Sequence, residues 1–191
     1  MPSALEVLRD EALGCTACPL AHQGRSQVVF GMGDPTADLV FVGEGPGAEE
    51  DRLGEPFVGR SGQLLDRLLA EELGMTREQV YIANVVKCRP PGNRDPERVE
   101  IDTCRPWLER QLDLIDPVVV VTLGKFAAQL LLDSTVGITR LRGSAYPYRD
   151  GVLIPTLHPA YVLRGGAEKM AQVRADLVRA KQALAARGSV R

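Results

Sequence analysis

Short apolar runs alternate with longer amphipathic stretches along this chain. Four of the runs are rich in β-branched residues and show no alternation of apolar and polar positions. Such runs are typical of strands buried on both faces of a parallel sheet. They cover residues 39–42, 80–83, 118–121 and 152–154. Helical stretches follow at about 61–73, 98–115, 124–132 and 167–187. This order predicts an α/β fold, a three-layer α/β/α sandwich with a central four-stranded, mainly parallel sheet.

Length and composition favour a single domain. The 191 residues are 45% hydrophobic, enough to bury a full core, and we find no internal repeat, low-complexity tract or linker. We therefore predict one domain over residues 1–191. The chain has no apolar run of about eighteen residues, as a membrane-spanning helix needs, and its N-terminus lacks the apolar core of a signal peptide. We expect a cytoplasmic monomer with no membrane partner.

The four cysteines form the most informative pattern of reactive side chains. Cys15 and Cys18 are a close pair, whereas Cys88 and Cys104 stand alone far downstream. In a reducing compartment such a set suits a four-thiolate metal site better than disulfides. Both a structural zinc ion and an iron–sulfur cluster accept four cysteines. Three separated anchors surround a larger cubane comfortably, so we favour a [4Fe–4S] cluster, with structural zinc as the alternative. Either would tie the N-terminal segment to the 88–104 loop.

The carboxyl ends of the predicted strands carry the residues that could form a pocket. In an open parallel sheet, binding sites collect at this edge. Here the ends are a glycine-rich loop at 43–47, Asn84, the segment 122–124 and His158. Two ends are rich in glycine and proline, and two present a single polar side chain. The sequence therefore predicts a pocket at this edge.

The glycine loop formally matches a dinucleotide-binding fingerprint, but its chemistry argues against that function. Pro46 lacks the backbone N–H that a pyrophosphate would need, and a cluster of acids follows the loop. An oxidoreductase is therefore disfavoured. Phe57 lies between proline and glycine and is either a stacking platform for a flat ligand or a core aromatic. Ser61 is a candidate N-cap for the next helix, where free N–H groups could hold a phosphate.

Several of these segments together resemble a known family. The Cys-x₂-Cys pair, Gly-Glu-Gly-Pro-Gly at 43–47, Pro-Phe-Val-Gly at 56–59, Asn84 with the 87–91 segment, Cys104, and His158-Pro-Ala with Arg164 occur in order. The chain resembles the type-4, iron–sulfur uracil-DNA glycosylases from about residue 10 to 185. The resemblance implies excision of uracil from DNA during base excision repair, with a [4Fe–4S] cluster on the four cysteines.

The resemblance also implies roles for individual residues. The Glu44-Gly45-Pro46 segment is similar to the superfamily's first catalytic motif, which lines the uracil and the sugar. Phe57 matches the stacking aromatic and Asn84 the amide that reads the base. His158 is similar to the histidine that faces the uracil carbonyl O2. The segment 159–164 resembles the loop that enters the duplex as the base leaves.

Elementary chemistry supports these roles. A base must leave the duplex to be read on its Watson–Crick edge, and one asparagine amide offers a donor for O4 and an acceptor for N3–H. Bond cleavage leaves negative charge on uracil and positive charge on the sugar. A donor from His158 would stabilise the first, and Glu44, supported by Glu50, would stabilise the second or position the water. Gly45 departs from the family pattern, because some members carry a water-positioning aspartate there.

Other features refine the expected reaction and its partners. No lysine stands out as a Schiff-base former, so we expect a monofunctional hydrolase acting on N-glycosyl bonds. The short 89–95 segment has no histidine, which disfavours covalent capture of the sugar. The net charge of −2 gives no broad basic surface. We therefore expect Arg94, Arg164 and helix N-termini to contact the DNA backbone. The alternative is a non-catalytic, zinc- or cluster-stabilised module that binds nucleotides or damaged DNA.

Overall fold

The computed structural model describes residues 1–188, and its centre is a six-stranded sheet with the order β1-β3-β2-β4-β6-β5. The predicted single domain would also include residues 189–191, which lie outside the described residues. The strands are β1 Met32–Gly33, β2 Leu39–Gly43, β3 Tyr81–Asn84, β4 Val119–Leu123, β5 Tyr146–Tyr148 and β6 Gly151–Thr156.

The four strands read from the sequence form the parallel middle of this sheet. β2 pairs in parallel with β3 and β4, and β4 pairs in parallel with β6. The sheet is wider than the predicted four strands, because β1 and β5 add antiparallel edges. β1 has only two residues, and β5 contains Pro147, which only an edge strand readily accepts. Neither leaves a clear pattern in the sequence.

Helices cover both faces of the sheet. They are α1 Ala4–Leu13, α2 Ala48–Leu53, α3 Arg60–Leu68, α4 Arg98–Ile115, α5 Lys125–Leu131, α6 Ile138–Leu141 and α7 Pro159–Gly188. The predicted helix at 98–115 matches α4. The predicted helix at 61–73 is α3 continued by a π-helical turn, Leu69–Leu73. α7 begins earlier than the predicted 167 and is interrupted at Gly166, where φ is 74°.

The alternation of side chains along β2 separates two hydrophobic cores. Val40 and Val42 point into a core that includes residues of α1 and α4. Leu39 and Phe41 point into the opposite core, which includes residues of α3 and α7. Successive strand residues face opposite sides, so the sheet is buried on both faces. This confirms the predicted three-layer α/β/α arrangement.

None of the helices within residues 1–188 is both long enough and apolar enough to cross a membrane.

Candidate active site and four-cysteine site

A cleft of about 740 Å³ opens at the carboxyl ends of the central strands. Its size suits a ligand far larger than a single side chain. The cleft brings together all ten of the non-cysteine residues predicted for the site: Glu44, Gly45, Pro46, Glu50, Phe57, Ser61, Asn84, Arg94, His158 and Arg164. They come from elements well separated in sequence, and the topology of the sheet places them at one edge.

Asn84 ends β3 and is the most deeply buried polar group of the cleft. The residue is only 2% exposed, and its Oδ1 has no hydrogen-bond partner within the described part of the chain. A buried acceptor without a partner costs about 1–3 kcal/mol. Gly43, its pairing partner on β2, makes room for it, since a Cβ there would lie 2.5 Å from Oδ1 and 2.6 Å from the Phe57 ring. Asn84 is therefore poised to receive a ligand donor.

Phe57 is held in a conformation unusual for a bulky residue. Its φ is 54°, in the left-handed region, and its carbonyl oxygen accepts a hydrogen bond of 2.5 Å from Arg77 Nη2. Gly62 must be glycine because a Cβ there would meet the same carbonyl oxygen at 1.7 Å. The ring is buried in the α3–α7 core yet lines the cleft, 5.7 Å from the His158 ring at an interplanar angle of 32°. Phe57 is therefore a core aromatic that also lines the cleft, and its role as a stacking platform stays a prediction.

His158 follows β6 and has a defined protonation state. Its Nδ1 accepts a hydrogen bond of 3.1 Å from the Ala160 backbone N–H, which can only donate. Burial lowers the pKa of His158 to about 4, with a contribution from Arg164 that outweighs the opposite effect of Glu50. The neutral ring therefore carries its proton on Nε2. This is the arrangement of an uncharged hydrogen-bond donor.

Glu44 lies after β2, and its environment raises its pKa. Burial is the main cause, Asp95 adds to it, and Lys125 opposes it; together they raise the pKa of Glu44 to about 7. Asp95 and Lys125 form an ion pair of 3.4 Å and also line the cleft. Neither residue was among those predicted for the site. Lys125 immediately follows the 122–124 strand end, which was the only signal for it.

Glu50 shapes the loops around the cleft. Its carboxylate accepts backbone hydrogen bonds from Gly47 at 3.1 Å, Val58 at 3.0 Å and Gly59 at 2.9 Å. It thereby joins the glycine loop to the Phe57 loop. The supporting role predicted for Glu50 is compatible with these contacts.

The glycine at position 45 has a local steric reason. A Cβ at Gly45 would lie 2.7 Å from Cγ2 of Val86, closer than side chains tolerate. An aspartate at this position would therefore have to displace Val86. The departure from the family pattern is built into the packing of this chain.

The residues predicted to contact DNA occupy different environments. Arg164 is exposed at the start of α7. Arg94 is engaged by the fully buried Glu100, with its Nη2 2.7 Å from Oε1 and its Nη1 3.0 Å from Oε2. Ser61 is not an N-cap: α3 begins at Arg60, and its N-cap is Gly59. Because the helix already begins at Arg60, Ser61 lies inside its first turn.

The four cysteines line a second, smaller cavity. Cys15 follows α1, Cys18 precedes a 3₁₀ turn, Cys88 follows β3 and Cys104 lies on α4. Among residues 1–188, no three His, Cys, Asp or Glu side chains are arranged to hold one metal ion. All four cysteines nevertheless line the same cavity.

Donors already point at these sulfurs. Arg25 Nη1 donates to Cys88 Sγ at 2.8 Å, and the Lys87 backbone N–H donates to Cys104 Sγ at 3.3 Å. Burial raises the pKa of Cys104 to about 11, despite the opposing effect of Lys87. A bound metal would replace the proton of the Cys104 thiol. Donors to sulfur and a cationic neighbour are the surroundings that metal-bound thiolates require.

Comparison with known proteins decides the family. The model of the uracil DNA glycosylase superfamily matches residues 30–180. The chain belongs to the uracil-DNA glycosylase superfamily. A type-4 uracil-DNA glycosylase of Thermotoga maritima is 46% identical over 180 residues, 93% of this chain and 93% of the relative. A second, of Sulfurisphaera tokodaii, is 44% identical over 168 residues, covering 84% of this chain and 76% of the relative.

Type-5 uracil-DNA glycosylases are more distant from this chain. The one of Thermus thermophilus is 35% identical over 162 residues, 77% of this chain and 71% of the relative. Within the superfamily the chain therefore groups with the type-4 uracil-DNA glycosylases, and the recognition made from the sequence is confirmed.

Proposed function

We infer that the protein excises uracil from DNA by hydrolysing its N-glycosidic bond, as a base excision repair enzyme. The observation that carries this function is the unpartnered, buried Asn84 Oδ1 in the same cleft as the neutral donor His158. The test is release of free uracil from a uracil-containing oligonucleotide by the purified protein. An oligonucleotide with cytosine at that position is the control. Binding without release would instead favour the damaged-DNA-binding module.

Recognition of the base follows from the chemistry of Asn84. Uracil presents a donor at N3 and an acceptor at O4, and the Asn84 amide can match both with Oδ1 and Nδ2. Phe57 gives the flat base a stacking surface, with its ring beside His158. A base reaches this depth only after leaving the duplex. Tyr161 and Leu163 of the 159–164 segment are exposed, and we propose that this segment fills the stack that the base vacates.

Bond cleavage is assigned to groups on two sides of the base. His158 Nε2–H donates to O2 as negative charge develops on the leaving uracil. Because the ring is neutral, this donation needs no proton from solvent. The Glu44 carboxylate stabilises the positive sugar or positions the attacking water, and Glu50 holds the loop that carries it. No lysine is assigned to the sugar, so we propose a monofunctional enzyme that leaves an abasic site.

We further propose a [4Fe–4S] cluster on Cys15, Cys18, Cys88 and Cys104. The shared cavity and the donors from Arg25 and Lys87 support it. The cluster would join α1 and its following turn to α4 and the segment after β3. When bound, the cluster would serve as a structural cross-link between these segments. We also propose that the enzyme acts as a cytoplasmic monomer, where reducing conditions keep the thiols available.

The ionisation of Glu44 predicts how kcat/KM depends on pH. The pKa of Glu44 is about 7 and that of His158 about 4. If the ionised Glu44 carboxylate is the active form, kcat/KM rises with pH through a single inflection near 7 and then levels off. Glu44→Gln is expected to remove the inflection and to lower the plateau by about 10- to 100-fold. The measurement is kcat/KM between acidic and mildly alkaline pH.

The matched control for this experiment is Glu49→Gln. Glu49 is exposed and paired with Arg52, and it should keep the wild-type inflection. An unchanged inflection in Glu44→Gln would show that another group titrates.

Arg164 is expected to hold the DNA backbone. Arg164→Ala should weaken binding of uracil-containing DNA and reduce the slope of log Kd against log salt concentration by about 1, with little change in base choice. Titrations at several salt concentrations measure both quantities. Arg179→Ala removes an exposed arginine further along α7, beyond the interruption at Gly166, and should leave the slope unchanged. Equal slopes for wild type and Arg164→Ala would contradict this role.

A further inference from the structure

A completely buried lysine lies between the base-reading residue and the four-cysteine site. Lys87 is 1% exposed and has one of the largest fully buried side chains of the described residues. Its ammonium donates to the main-chain oxygen of Asn84 at 2.9 Å and to Oε1 of Gln111 at 2.5 Å. The lysine thus anchors the main chain of the residue that reads uracil.

Gln111 continues this network into the core. Its Nε2 donates to the Phe30 main-chain oxygen at 2.8 Å and to the Tyr81 hydroxyl at 3.3 Å. The Phe30 ring also lies 5.8 Å from Lys87 Nζ, within range of a cation–π contact. All partners of the ammonium in this network are neutral.

A buried ammonium without an opposite charge is costly. No carboxylate among residues 1–188 pairs with Lys87, and the residue lines the cysteine cavity together with Cys88 and Cys104. Its own backbone N–H also donates to Cys104 Sγ. A cluster held by four thiolates would carry a net negative charge in this cavity. The burial of Lys87 is therefore best explained by a charged partner in the cysteine cavity.

We propose that Lys87 is a positioning residue that neutralises the metal-bound thiolates with its ammonium and holds Asn84 at the depth needed to read uracil. This inference rests on the proposed function of Asn84. It makes base recognition depend on the cysteine site through one side chain, without any contact between the metal and the DNA.

Arg25 provides the contrast. Its guanidinium donates to Cys88 Sγ and to the Cys15 main-chain oxygen at 2.7 Å, so it also faces the cysteine site. Neither of these two hydrogen bonds involves Asn84. Removing Arg25 should disturb the metal site alone, whereas removing Lys87 should disturb the metal site and the binding of uracil.

The experiment compares Lys87→Met with Arg25→Met and Gln111→Leu in the metal-loaded protein. One measurement is the Kd of free uracil, together with KM and kcat. The other is the rate of iron release to a chelator, followed by visible absorbance and by the fluorescence of Trp107. Trp107 is the only tryptophan and lines the cysteine cavity, so loss of a quenching cluster changes its emission.

Lys87→Met is expected to release iron faster and to raise the Kd of uracil by about 10-fold, with KM rising more than kcat falls. Arg25→Met should release iron faster at an unchanged Kd. Gln111→Leu damages the same network but retains Lys87, so its Kd should stay near that of wild type. A wild-type Kd in Lys87→Met, or an equal rise in Gln111→Leu, would overturn the proposal.

A second variant separates charge from hydrogen bonding and serves if Lys87→Met does not fold. Lys87→Gln retains an N–H donor for Asn84 without the charge, so it should restore uracil affinity yet still release iron quickly. Normal iron retention in Lys87→Gln would contradict the role of the charge. Failure of wild type to release uracil from DNA would sink the proposed function itself, which is a distinct result.

Discussion

His158→Ala is expected to lower the rate of uracil release by about 10²–10³-fold, because removal of one preorganised donor to a developing anion has this effect in other enzymes. Nδ1 is already occupied by the Ala160 N–H, so Nε2–H is the group left to donate to the leaving base. Single-turnover release from a uracil-containing oligonucleotide measures the chemical step. The affinity for the oligonucleotide should change much less than the rate.

The control for this variant is the second histidine of the chain. His22 is exposed in a 3₁₀ turn, and His22→Ala should release uracil at the wild-type rate. Thermal unfolding of both variants verifies that the fold is retained. A His158→Ala rate near that of wild type would refute the role of the imidazole.

Asn84→Leu is expected to reduce uracil release by about 10²–10³-fold, since two hydrogen bonds to the base are lost in a buried site. The same variant should be at least as stable as wild type, by up to about 1 kcal/mol, because it removes the unpartnered Oδ1. The kinetics of uracil release measure the loss of activity, and chemical denaturation measures the change in the free energy of unfolding. Lower activity with lower stability would indicate a merely structural asparagine.

A second substitution separates the two hydrogen bonds. Asn84→Asp retains an acceptor for N3–H but cannot donate to O4 when ionised, so it should also lose most activity. Asn93→Asp is the matched control: Asn93 lines the same cleft, but its Oδ1 accepts from Arg89 Nε at 2.7 Å. It should remain close to wild type, and an equal loss there would show that added charge alone is responsible.

The sequence allowed the central fold and most of the cleft to be predicted. Buried parallel strands leave continuous apolar runs in the sequence, and their carboxyl ends must share one edge of the sheet. Asn84 and His158 could therefore be placed together from the sequence alone. The edge strands could not be predicted, because two or three residues paired on one side leave no periodic pattern. The left-handed φ of Phe57 also has no local signature, since it depends on Arg77 and on the space left by Gly62.

Electrostatic relations were the least predictable part of the site. The raised pKa of Glu44 depends on Asp95 and Lys125, which come from a loop and a helix far apart in sequence. Ser61 was expected to cap α3, but Gly59 takes that position. Such relations arise from distances between elements, and neither composition nor spacing records those distances. The motifs located the chemistry, whereas the packing determines how each group is tuned.

The order in which the cysteines occur has a consequence for biosynthesis. The cavity needs Cys15 and Cys18 from the first turns of the chain and Cys104 from the middle of α4. When the ribosome has synthesised α1, β2 and β3, it has not yet added Cys104. The N-terminal segment therefore cannot dock against α4, and its thiols must stay reduced, until α4 has been synthesised and has folded. The proposed cluster would therefore be loaded late in maturation, and iron starvation should leave a protein whose first turns are open to proteases.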